Sequence, residues 1–207
     1  QMDTAGIETS DQMMTMYENW FAANGLLLFI GTLVSLIGSI ALYVIFLRGQ
    51  QTIGEALATA VKLFIPFLLL GILTAIAVGI GFILLIIPGI YLAIKFTLGG
   101  TVIAAEDVKN PIEAMKRSWQ LTKGNSLRIF FFLLIIFIVG IIALAAIGAV
   151  IGIPISLLLP AEAALFANNL VSSVTSSIFS VVLAAVYAAI YRQLAGRFDQ
   201  RELEETF

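Results

Sequence analysis

The sequence predicts an all-α fold: a polytopic bundle of transmembrane helices with an amphipathic helix at one membrane face. Three observations carry that prediction. Of 207 residues, 60% are apolar and only 12% charged, which lies outside the range of water-soluble globular domains. The apolar runs reach the roughly 20 residues that a helix needs to cross about 30 Å of hydrocarbon. Runs such as 26–30 and 130–138 show no alternation of apolar and polar residues, as the short strands of a membrane β-barrel would require.

Five spans are predicted in a single membrane domain, residues 1–207. They cover 24–47, 63–82 and 88–105, which make up the first part of the domain (24–105), and then 127–150 and 170–191 (127–191). An outer-side segment, 1–19, precedes them and a tail, 192–207, follows. The stretch 152–169 is apolar but interrupted by Pro154, Pro160 and Glu162. It reads as a short outer helix, a re-entrant segment or a further span.

Basic residues orient the bundle, because loops rich in Lys and Arg are retained on the cytoplasmic side. Arg48 and Lys62 lie between the first two spans. Lys109, Lys116, Arg117, Lys123 and Arg128 lie around the third loop, and Arg192, Arg197 and Arg201 follow the last span. Five spans bring these regions to one side if Gln1 starts outside and the carboxyl terminus is cytoplasmic. The outer side then holds Asp3, Glu8, Asp11, Glu18 and Glu162 and almost no base. An outer amino terminus without a cleavable signal in this sequence predicts a further helix upstream of Gln1, six spans in the intact protein.

Cysteine and histidine are both absent. That removes disulfides, thiol nucleophiles, imidazole bases and the commonest zinc and haem ligands. No catalytic, cofactor-binding or metal-binding residue is assigned, and a non-enzymatic role is expected. The formal charge of -2 does not suggest a nucleic-acid partner.

Two segments read as capped helix starts. Gln51-Thr52-Ile53-Gly54-Glu55-Ala56 and Lys109-Asn110-Pro111-Ile112-Glu113-Ala114 each place a capping residue three before a Glu, and Pro111 sits where its missing N–H costs nothing. Each start leads into a long apolar run and then a proline, Pro88 or Pro154. The echo reads either as a duplicated unit or as the ordinary capping of two helices that enter the membrane.

On a helical wheel, Glu113, Lys116, Arg117, Gln120 and Lys123 share one third of the circumference of the helix predicted over 111–123, with Ile112, Met115 and Trp119 on the adjoining side. Such a helix lies in the interface, its aromatic residue at the acyl boundary and its bases toward phosphates. Lys116, Arg117, Lys123 and Arg128 are the candidate lipid-headgroup surface. The same pattern also serves a plain topological anchor, since each base contributes only about 1 kcal/mol at an anionic surface.

Lys95 lies seven residues into its span, roughly 10 Å deep at 1.5 Å per residue. A charge there is costly unless it snorkels, pairs or borders water, so Lys95 is the candidate intramembrane functional residue. Glu106 and Asp107, at the end of the same span, are carboxylates at a helix C-terminus, where the dipole disfavours them.

Ser172, Ser176, Ser180, Ala184 and Ala188 recur at intervals of four, and Gly71, Ala75 and Gly79 form a second small-residue ridge. These are candidate helix-packing surfaces, within the chain or between copies.

The run Ile87-Pro88-Gly89-Ile90-Tyr91-Leu92-Ala93-Ile94-Lys95, followed by Glu106 and then by Pro111-Ile112-Glu113-Ala114-Met115-Lys116-Arg117-Ser118-Trp119-Gln120-Leu121-Thr122, resembles the YciC-type bacterial inner-membrane proteins. The likeness extends over about residues 35–192. The broader group includes the membrane domain beside some glycerophosphodiester phosphodiesterases. The resemblance implies an inner-membrane protein of six spans and transfers no catalytic residue, because the phosphodiesterase chemistry belongs to a separate soluble domain. The expectation is a protein that binds membrane lipids, another membrane protein or itself, as accessory subunit or scaffold. The alternative is a small transporter or channel that uses Lys95.

Overall fold

The computed structural model describes residues 10–49 and 51–206, with side chains over 12–49, 51–196 and at 198. The first nine residues of the predicted outer segment, and the side chains of Arg197 and Arg201, lie outside the described residues.

The fold is all-α. Helix α1 (Ser10–Arg48) leads by a short turn into α2 (Ile53–Leu84). A tight reversal at Leu85 gives α3 (Ile86–Phe96), followed by α4 (Gly99–Glu106), α5 (Pro111–Thr122) and α6 (Ser126–Ile147). A π-helical segment (Gly148–Gly152) and α7 (Ile153–Leu158) prolong α6, and α8 (Ala161–Thr206) completes the chain. Among the described residues there is no strand. Five helical stretches are long and apolar enough to cross a membrane: Gln12–Arg48, Ile53–Leu84, Ile86–Glu106, Ser126–Leu158 and Ala161–Gly196.

The stretch 152–169 is the tip of a hairpin. Residues up to Leu158 finish the fourth of these stretches and Ala161 opens the fifth. Asn168 Nδ2 donates to Ser156 Oγ at 3.0 Å across the hairpin, and Ser156 Oγ donates in turn to the Gly152 carbonyl. The reversal between α2 and α3 is equally tight, because a Cβ on Gly81 would lie 2.9 Å from the Gly89 Cα. A side chain at either glycine would force this hairpin apart.

The two predicted helix starts are capped differently. At α2, Thr52 Oγ1 accepts from the Glu55 N–H while the Glu55 carboxylate accepts from the Thr52 N–H at 2.8 Å, a complete reciprocal box. At α5, Asn110 Oδ1 accepts from the Ile112 N–H at 3.0 Å, and Glu113 takes the Asn110 side-chain amide rather than its backbone N–H. Gly124, at φ +79°, ends the turn after α5.

The apolar core gathers at the end of the bundle that carries the Lys and Arg residues. Ile40 and Val44 of α1, Ala60 and Leu63 of α2, Val102 and Ile103 of α4, Ala114 and Leu121 of α5 and Ile190 and Leu194 of α8 are all buried there. Away from that end most large apolar side chains face outward, among them Leu26 to Ile30 of α1 and Ile138, Ile141 and Ile142 of α6. The helices are fastened at one end, and their outer lengths have little of the chain around them.

Candidate functional site

Helices α3 and α4 are separated at Thr97 and Leu98, and α5 packs against both. A helix end leaves backbone carbonyls without intrahelical donors. At this break the Ser118 hydroxyl of α5 donates to the Lys95 carbonyl at 2.7 Å. The Lys95 side chain is buried at 2% exposure, and its ammonium lies 5.3 Å from the Tyr91 ring centroid and 5.2 Å from that of Trp119. Tyr91, four residues earlier on α3, meets Trp119 edge to face at 5.9 Å, and Phe96 completes the group, 5.7 Å from Trp119. Cation–π attraction is worth about 0.5–2 kcal/mol, most when desolvated. That is less than the cost of placing an unpaired ammonium in hydrocarbon. Among the described residues no carboxylate reaches ion-pair distance of Lys95.

Both rings that cover Lys95 are themselves outward-facing, Tyr91 at 46% and Trp119 at 38% exposure. The ammonium is thus one aromatic layer from the surroundings.

On the other side of α5, Arg117 Nε donates to Glu106 Oε1 at 3.1 Å, and the Tyr191 hydroxyl of α8 donates to the same oxygen at 2.7 Å. The Arg117 guanidinium also stacks over Phe198 at 4.6 Å. Arg48, the last residue of α1, donates from Nε to the Ala104 carbonyl at 2.7 Å and from Nη2 to Asp107 at 2.9 Å. Asp107 caps α4 in the left-handed region, φ 56°. Arg192 of α8 donates to the Phe46 carbonyl of α1. The two carboxylates that the helix dipole disfavours are therefore each matched by an arginine, and α1, α4, α5 and α8 are tied together at one level.

Of the four predicted headgroup residues, Arg117 is drawn into this lattice. Lys116, Lys123 and Arg128 stay exposed, and among the described residues none of the three is paired. The face of α5 that packs inward is Ala114, Ser118, Leu121 and Thr122, while Ile112 and Trp119 face out. The ridge on α8 divides: Ala184 and Ala188 are buried within the chain, whereas Ser172, Ser176 and Ser180 are exposed. On α2, Gly71 and Ala75 are exposed and Gly79 half-buried, and no side chain of this protein lies within 4 Å of where a Cβ on either glycine would stand.

A family model described as a domain of unknown function (DUF7847) matches residues 9–194. The chain belongs to the DUF7847 family. The match begins just before α1 and ends within α8, so it takes in every helix that builds the Lys95 group and the arginine lattice of this DUF7847 chain. No curated protein and no solved structure matches it.

Sequence reasoning singled out Lys95, which the structure buries, and placed α5 from its periodicity. It did not find the Glu106–Arg117–Tyr191 or Arg48–Asp107 partnerships, which join residues far apart in the chain. The available signal was weak: Arg48 and Arg192 each end an apolar run, where an arginine can reach across to a neighbouring helix end.

Proposed function

We propose that this protein acts without catalysis in a membrane, as a lipid-binding accessory subunit or scaffold for other membrane proteins or further copies of itself. The observation that carries this reading is the outward face of α5, Trp119 and Ile112 with Lys116, and the bases Lys123 and Arg128 that follow it in the chain. Outward aromatic and aliphatic groups there adjoin exposed bases that no described residue pairs. Apolar groups insert at the acyl boundary and bases draw anionic headgroups, about 1 kcal/mol for each base. On this reading the basic end is cytoplasmic, as is the carboxyl terminus, and the membrane is a bacterial inner membrane. That last assignment rests on the resemblance to YciC-type proteins at the Ile87-Pro88-Gly89 and Glu113-Ala114 motifs.

Purification in mild detergent, followed by mass measurement of what accompanies the chain, tests the proposal. Co-purifying anionic lipid, a membrane-protein partner or a second copy is the expected result. A chain that emerges alone and monomeric counts against it.

One observation favours a second reading, a small transporter or channel. Lys95 is buried without a carboxylate partner, and ionisable groups at such depth commonly serve ion or substrate paths. Reconstituted vesicles should then show flux that Lys95→Ala abolishes; absent or unaltered flux removes this reading.

A further inference from the structure

Helices α6 and α8 approach each other closely near Gly140, and both contribute to the core at the basic end. Phe179 of α8 packs so closely on Gly140 of α6 that a Cβ there would lie 2.2 Å from the ring. At the basic end Ile129, Ile190 and Leu194 are buried together. Beside them a groove of about 500 Å³ opens to the outside, with those three residues along it together with Phe132 and Ala189. Arg128, Asn125 and Gln193 line its basic end.

The groove is graded in polarity along its length. Asn125 and Arg128 of α6 and Gln193 of α8 lie toward the basic end of their helices, and Phe132 of α6 with Val186 and Ala189 of α8 lie toward Gly140 and Phe179. Among the described residues no carboxylate lines it. Arg128 is exposed, and among the described residues its guanidinium has neither an ion pair nor a hydrogen bond. A guanidinium presents a donor fork that matches phosphate oxygens, and side-chain amides from Asn125 and Gln193 add donors beside it. An apolar channel running from that fork along two helices fits a hydrocarbon chain.

We propose that this groove holds one anionic phospholipid, its phosphate on Arg128 and one acyl chain along Ile129, Phe132 and Ile190. The inference rests on the lipid-binding reading and deepens it. The outward bases of α5 attract headgroups diffusely, whereas the groove takes a single lipid in fixed stoichiometry.

Native mass spectrometry of the full chain in mild detergent, titrated with phosphatidylglycerol or phosphatidylcholine, tests it. The expected result is one retained phosphatidylglycerol per chain and weaker retention of phosphatidylcholine. Arg128→Gln should weaken that retention about tenfold, the effect of one lost charge-assisted contact. Ala189→Trp, which fills the groove from an exposed wall position, should abolish it, while the double change Lys116→Gln with Lys123→Gln should leave it in place. A bound lipid that survives Ala189→Trp, or equal retention of the two lipids, overturns the groove assignment and leaves lipid binding elsewhere intact. A second copy of the chain in place of lipid, lost on Ala189→Trp, also overturns it. A wild-type chain that retains no lipid at all overturns both the groove and the broader lipid-binding reading.

Discussion

The Tyr191 hydroxyl and the Glu106 carboxylate, 85 residues apart in the chain, meet at 2.7 Å. The same oxygen accepts from Arg117, so a single carboxylate joins α4, α5 and α8. Hydrogen bonds to charged groups contribute about 1.5–3 kcal/mol when buried, and partial exposure of Glu106 places this one at the low end. Tyr191→Phe should lower the thermal midpoint in detergent accordingly. Combined with Arg117→Gln, the loss should be less than additive, because both changes act on one acceptor. Strict additivity would mean the two donors act independently.

Gly140→Ala tests the contact between α6 and α8. The added methyl meets the Phe179 ring, which also packs edge to face on Phe137 at 6.4 Å. Overpacking of this kind costs about 1–3 kcal/mol. Phe179→Ala in the same chain should restore much of the loss, and an unchanged midpoint for Gly140→Ala alone would mean that α6 is free to move away.

Lys95→Met separates charge from packing. Methionine keeps a long unbranched stem and removes the ammonium, so a stability at least equal to the wild type is expected. Trp119→Ala, which strips the ring covering Lys95 and its contacts to Tyr91 and Phe96, should instead lower the midpoint. A fall for Lys95→Met as large as that for Trp119→Ala would mean the ammonium itself holds α3 to α5.

Because the chain has no cysteine, single-cysteine reporters need no prior engineering. Lys116→Cys and Gln193→Cys should be labelled from the cytoplasmic side and Leu158→Cys from the other. The contact between Arg117 and Phe198 already holds α5 and the end of α8 together. Labelling of 116 and 193 from the outer side, with 158 labelled from the cytoplasmic side, would overturn the orientation.

The number of spans was legible because hydropathy reports what a bilayer accepts. Helix lengths were not. The first span was expected from residue 24, yet α1 begins at Ser10, since polar residues such as Gln12, Glu18 and Asn19 extend a helix without extending its apolar part. The second was expected from 63 and begins at Ile53, immediately after the Thr52 cap. The third was expected as one helix over 88–105 and is divided at Thr97 and Leu98. Gly99 and Gly100 mark the place, for there Leu70 and Phe67 of α2 press close to the backbone, but their meaning depends on a neighbour that periodicity cannot supply. Lys95 was legible as a costly charge, whereas its aromatic enclosure was not, because Trp119 reaches it only once α5 folds back. Helix α5 was placed correctly at 111–123, within one residue of its end at Thr122, because capping and amphipathic spacing are both local.

Concentrating the interlocked residues at one extremity divides the protein's tolerance of change. Near Leu63, Val102 and Ala114, shape is read by neighbouring side chains, and a single methylene matters. Toward Leu26 or Ile141, the surroundings accept any greasy surface, so Ile, Leu, Val and Phe become interchangeable there. Sequence drift should therefore run fast along the outer lengths and slowly beside the arginines, even if no partner ever touches either region.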